Sequence, residues 1–174
     1  MDEKIKDINC RKLLEEIKTT KDITENTKNA VIMYCLHAMF APTSTKVTMD
    51  ENGKKNHRKY SIKDSQDHFM VVGESVEVFM DQLKNQGRPI QPFIFIVGSI
   101  FRQKEILVYF DSILYKVHSI LRAVEVCYKI FHLFQLEYPF QSQIVWLFIQ
   151  KFFFYFSSKH DKPYHKLSQI LSEL

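Results

Sequence analysis

Tyr138-Pro139-Phe140-Gln141-Ser142-Gln143-Ile144-Val145-Trp146-Leu147-Phe148-Ile149-Gln150-Lys151, followed by Phe152-Phe153-Phe154-Tyr155-Phe156, is the passage around which the chain is organised. It closes a region, residues 101–156, that holds 16 of the 24 aromatic residues (15 Phe, 8 Tyr and 1 Trp). So much aromatic surface has three destinations: a core, a partner or a membrane. The membrane fails on length. The apolar block 144–156 is interrupted by Gln150 and Lys151 and falls short of the roughly 20 apolar residues that span a bilayer. Pro139 breaks whatever precedes it, and Gln141 or Ser142 opens a helix expected to run to about Phe156. Five successive helical positions circle the helix, so residues 152–156 cannot all face one core. Either that helix is covered on several sides, or a face made of Trp146, Phe152, Phe153, Phe154 and Phe156 remains for a partner.

Working back from Tyr138, Ser119 caps a helix to about Leu136. Its apolar positions Leu121, Val124, Cys127, Tyr128, Phe131 and Phe134 recur at helical spacing. With the helix that follows, it predicts an apolar C-terminal helical hairpin. Before it, residues 105–110 and 113–117 flank Asp111-Ser112 as a β-hairpin. Phe93-Ile94-Phe95-Ile96-Val97 is a continuous apolar run, the pattern of a strand buried on both sides. Val76, Phe79, Met80 and Leu83 share one face of a helix capped at Glu74 or Ser75 and closed by Gly87-Arg88-Pro89. Phe69-Met70-Val71-Val72 reads as a strand or a helix end. The fold class is α+β: a small antiparallel meander of three or four strands packed with several helices. Past residue 156, Leu167, Ile170, Leu171 and Leu174 make a short amphipathic turn.

The N-terminal part has a different texture. Residues 1–28 carry seven basic and seven acidic side chains, and Leu13, Leu14 and Ile17 make one short stripe: a weak helix or a mobile arm. The remaining residues, 29–174, form one globular domain. Ala30 to Phe40 is apolar almost all round, a buried helix stopped by Pro42. Residues 43–63 are polar. Asp50-Glu51-Asn52-Gly53 marks a turn, and residues 54–59 hold four full positive charges, which predicts a long exposed basic loop. Cys10, Cys35 and Cys127 are odd in number and sit among apolar residues, as free thiols of a reducing compartment do. Residues 1–4 lack a signal core. A soluble intracellular protein of the cytoplasm or nucleus is expected.

Several blocks have a familiar look: Leu36-His37-Ala38-Met39-Phe40-Ala41-Pro42-Thr43, Ser61-Ile62-Lys63-Asp64-Ser65-Gln66, Pro92-Phe93-Ile94 through Val97-Gly98, Tyr138-Pro139 with Gln141-Ser142, and Val145-Trp146-Leu147-Phe148-Ile149-Gln150-Lys151. From about residue 30 onward they resemble a group of uncharacterised animal proteins of insects and cnidarians, often associated with mobile elements. The resemblance implies a shared domain and brings no activity with it.

The residue patterns point away from a reaction. No Gly-x-Ser-x-Gly elbow, phosphate-cradling glycine loop or paired-carboxylate signature is present. Cys35 and His37 point to different sides of a helix, no Cys-x-x-Cys exists, and His160 with His165 sits in a polar stretch, so no metal set forms. Neither a catalytic residue nor a cofactor is expected. Two binding readings remain. The first is association with itself or another protein through the Trp146 to Phe156 surface. The second is nucleic-acid binding through Lys54, Lys55, Arg58 and Lys59, a cluster sized for three or four phosphate contacts.

Overall fold

The computed structural model describes residues 5–85 and 91–173. The helix stop read at Gly87-Arg88-Pro89, the N-terminal residues 1–4 and Leu174 lie outside them. Among the described residues there are two sheets and seven helices, so the class is α+β.

The larger sheet runs β3 (Met70–Gly73), β4 (Phe93–Gly98), β5 (Gln103–Phe110), β6 (Ile113–Val117), in that spatial order. β4, β5 and β6 are the antiparallel meander read from the sequence. β3 instead pairs parallel to β4, Met70 opposite Ile94, so the sheet is mixed. The parallel pair needs a crossover, and α4 (Val76–Asn85) supplies it. Both sheet faces are covered. Along β4 the side chains alternate, Phe93 and Phe95 toward α4 with Val76 and Met80, Ile94 and Ile96 toward the main core. That two-sided burial is why the strand is apolar without interruption. Asp111 and Ser112 both take positive φ, 47° and 65°. This is the primed turn whose twist suits a two-residue hairpin.

The main core is built by α2 (Glu25–Met39), α5 (Ile120–Leu133) and α6 (Gln143–Phe152). α2 is capped by the Thr24 hydroxyl and α5 by the Ser119 hydroxyl. Asn26 ties the two together, accepting from Ile120 N at 2.8 Å and donating to Gln103 Oε1 at 2.6 Å. Of the weak helix or mobile arm read for the charged N-terminus, the structure has a helix. Asp7 caps α1 (Ile8–Thr19), and Ile5, Cys10 and Leu14 are buried against the rest. A stripe too short to stabilise a lone helix suffices once it has α2 to lie on.

The polar interval 43–63 is not a loop. Thr45–Met49 (β1) and Lys55–Lys59 (β2) pair antiparallel as a two-stranded ribbon, and Ser61 opens α3 (Ile62–Asp67) with a capping box to Asp64. The structure does not show the expected C-terminal helical hairpin, although Phe131 of α5 packs on Trp146 of α6. α5 lies on β4, β5 and α2, while α6 meets the closing helix α7 (His165–Ser172). α6 also stops four residues before Phe156, for reasons that belong to the site.

Candidate functional site

Residues 144–150 of α6 are all buried, and Trp146 is 0% exposed. Phe69, Phe131 and Tyr138 surround its indole at centroid distances of 4.7, 5.1 and 5.8 Å. Trp146 is thus a core residue and leaves the partner surface expected of it, since no face of its ring reaches solvent. Of the other four aromatics, Phe152 is the last residue of α6 and the rest lie beyond its end. Phe153 N still donates to Ile149 O, but Tyr155 takes φ 50° and Phe156 N turns back to Gln150 O at 3.2 Å. A left-handed residue ends the helix and reverses the chain. The reversal sends Phe154 onto Tyr128, stacked at 3.8 Å and 7°, and Phe156 edge-on to His132 at 5.5 Å. Phe154 is therefore partly spent on packing. Phe152, Phe153 and Phe156 remain 36%, 45% and 45% exposed, and Tyr155 90%.

A chain of polar groups lies under this reversal. His132 Nε2 and Tyr138 Oη are 2.9 Å apart. Tyr138 Oη donates to Gln150 Oε1 at 2.9 Å, so the His132 nitrogen is the donor in the first bond. Gln150 Nε2 donates to both Asp161 oxygens at 3.0 and 3.1 Å, and Lys151 Nζ donates to Asp161 Oδ2 at 2.7 Å. The groups border a cavity of about 440 Å³ between the end of α5 and the 156–162 loop. Burial pushes the Tyr138 phenol well up and holds His132 below the usual histidine range. Burial also works against the Asp161 carboxylate, but its bonds to Lys151 and Gln150 prevail and keep it below the usual range. Each member of the chain faces a complementary one, and the only strong charges are neutralised by each other. The arrangement fastens the 153–161 loop to α6. Gln150, Lys151 and Asp161 were not read as a unit from the sequence; the signal was a Gln-Lys pair interrupting an apolar helix.

The ribbon presents the opposite character. All ten residues of β1 and β2 are exposed. Its turn is held by Asp50, whose carboxylate accepts from Asn52 N and Lys54 N at 3.0 and 2.8 Å, with Gly53 at φ 74°. Opposed residues share a face, so register places Lys46 and Arg58 with Thr48 and Asn56 on one side. Lys55, His57 and Lys59 lie with Thr45, Val47 and Met49 on the other. Lys54, Lys55, Arg58 and Lys59 are thus brought together but divided between the faces and the turn. Lys46, overlooked in the sequence, joins Arg58. Among the described residues none of these five cations has an ion-pair partner. At the foot, Ser44 Oγ donates to Phe140 O at 2.9 Å, and Lys162 Nζ stands 5.2 Å over the exposed Phe140 ring.

Elsewhere, His37 is fully buried with Nδ1 2.7 Å from Ser65 Oγ, and burial pushes it down to about 3. The three cysteines are buried and free. Among the described residues no group of three His, Cys, Asp or Glu side chains is placed to hold a metal ion, and no helix is long and apolar enough to cross a membrane. Comparison of the chain with models of known families, with curated proteins and with solved structures returns no match.

Proposed function

We propose that the chain is a non-enzymatic binding domain that holds nucleic-acid phosphates on the β1–β2 ribbon. One observation carries the reading: an exposed ribbon and its turn bear Lys46, Lys54, Lys55, Arg58 and Lys59, none of them in an ion pair among the described residues, although the charge of Arg58 is felt by Asp64. A lone two-stranded ribbon contributes little to a core, so these residues are free of packing duties. A ribbon of this width enters the major groove of duplex DNA, which is about 12 Å wide, and cations on both faces then reach the two bordering backbones. Contacts of this kind give affinity and orientation without sequence readout.

Fluorescence anisotropy with duplex and single-stranded DNA across a salt series tests this. With four to five phosphates neutralised, log K falls with log salt at a slope of about −3.5 to −4.5 for duplex. Replacing Lys54, Lys55, Arg58 and Lys59 by Gln leaves Lys46 alone and brings the slope to about −1. No binding at low salt, or binding that survives the quadruple substitution, overturns the proposal.

A second reading, protein association, is favoured by the exposed edge of Phe152, Phe153, Tyr155 and Phe156 beside the polar cavity. Light scattering on wild type and Phe153→Asp tests it: association through this edge is lost in the variant. A Phe154→Asp change is less informative, because it breaks the stack on Tyr128.

A further inference from the structure

We infer that β6 is a self-association edge, on which a second copy of this chain pairs its own β6 antiparallel to continue the sheet. β6 is the last strand in the order β3-β4-β5-β6. Lys116 is its single charge, and Ile113, Leu114 and Tyr115 are exposed at 52%, 42% and 41%. Clefts flank it on both sides of the sheet. One of about 240 Å³ is lined by Leu114 with Val76, Glu77, Met80 and Asp81, and one of about 570 Å³ by Tyr115 with Val117, Arg122 and Val126.

The register of β6 makes it self-complementary. The two-residue turn at Asp111-Ser112 makes Phe110 and Ile113 a hydrogen-bonded pair. Alternation along the ladder then points the N–H and C=O groups of Leu114 and Lys116 away from β5. Two copies pairing about Tyr115 set Leu114 of each against Lys116 of the other, so these outward groups satisfy one another in four main-chain bonds. Ile113 meets Val117 of the second copy, and Tyr115 meets Tyr115. No like charges are opposed. Lys116 instead arrives at Leu114 of the second copy, whose cleft carries the two acids Glu77 and Asp81 against one cation, Lys84. Among the described residues Lys116 is paired with the exposed Glu105, at 2.6 Å, a weak surface pair that it can share. The charge match favours a second copy over an unrelated strand. It is an isologous two-fold contact, and it stands on the sheet edge, independent of the ribbon.

Sedimentation velocity over a wide concentration series is the experiment. The expected mass rises from 20.7 kDa toward twice that value. Leu114→Pro removes an outward N–H and leaves the β5 ladder intact. Lys116→Glu sets an acid against Glu77 and Asp81 of the second copy. Each is expected to raise the dimer dissociation constant at least tenfold, while Phe153→Asp leaves it unchanged. Lys116→Glu combined with Asp81→Lys restores the dimer, a rescue that a merely unfolded variant would not show. A mass of one chain at every concentration overturns the inference. So does a dimer indifferent to both β6 variants, one broken only by Phe153→Asp, or a monomer whose β6 takes up an added extended peptide instead.

Discussion

Asp161→Ala tests whether the polar chain behind the aromatic reversal holds the C-terminal part of the fold. The carboxylate accepts from Gln150 Nε2 at 3.0 and 3.1 Å, from Lys151 Nζ at 2.7 Å and from Ser158 N at 3.1 Å. Removing it leaves the Nε2 of Gln150, a residue 2% exposed, with only a long 3.4 Å contact to Phe156 O. A buried donor deprived of its acceptor costs about 1–3 kcal/mol. The Lys151 pair is partly buried, with side-chain exposures of 23% and 12%, and its loss adds about 1 kcal/mol, above the usual surface value. The expected loss of about 2–4 kcal/mol lowers the melting midpoint by about 5–15 °C for a chain of this size. Asp161→Asn keeps an oxygen for Gln150 and loses only the charge, so about 1 kcal/mol is expected. The pH dependence has a definite sign. The folded pKa lies below the unfolded value of about 3.9, so the charge stabilises fully above that value and the benefit disappears as pH falls through the folded pKa. Chemical denaturation at pH 7 and at about pH 3 is the assay. A wild-type advantage over Asp161→Asn that fails to shrink in acid refutes the assignment, as does an Asp161→Ala melt indistinguishable from wild type.

His37 makes a second pH test in a different window. Burial pushes it to about 3 when folded, while the unfolded chain protonates near 6.5. Stability is therefore fully present above about 6.5 and is lost as pH falls, with a slope approaching 1.4 kcal/mol per unit. His37→Asn, which can still bond Ser65, flattens that slope; urea midpoints at pH 7, 6 and 5 measure it, and equal slopes in the two proteins refute it. The thiols supply a third. Burial pushes the Cys127 thiol up, and the bond to Cys35 together with burial does the same for Cys10. A colorimetric thiol reagent at pH 8 is expected to find none of the three in the folded chain and all of them in denaturant. Rapid labelling of the native protein contradicts this.

The legible parts of the fold were those whose local chemistry and tertiary role agree. β4 is apolar because both sheet faces are covered, and Ser119 caps α5 as its position before an apolar periodic run implies. The missed parts are those where context overrules propensity. Lys55-Asn56-His57-Arg58-Lys59 has no strand preference and becomes β2 only because Thr45-Lys46-Val47-Thr48-Met49 and the Asp50–Gly53 turn hold it in register. β1 alone, with its β-branched alternation, was the available signal. The end of α6 was hidden more deeply. Tyr155 adopts a left-handed conformation that glycine usually marks, so nothing in Phe152-Phe153-Phe154-Tyr155-Phe156 announces a reversal. The deciding partners, Tyr128 and Asp161, are distant in sequence or lie across a loop.

That reversal also decides where binding surfaces remain. A helix continued to Phe156 would have carried its aromatics around the axis and exposed a broad apolar face. Stopping at Phe152 instead turns Phe154 onto Tyr128 and Phe156 onto His132, while Trp146 closes the core beneath. The aromatic region becomes mainly structural, with a half-exposed edge left over. The sheet, by contrast, buries both faces of β4 and leaves the outer edge of β6 open at its rim, and the ribbon spends nothing on burial at all. The proposed recognition then rests on a five-residue edge strand and a five-residue basic strand. Their tests separate cleanly, since salt weakens contacts made by exposed ribbon cations and leaves main-chain pairing along β6 largely untouched.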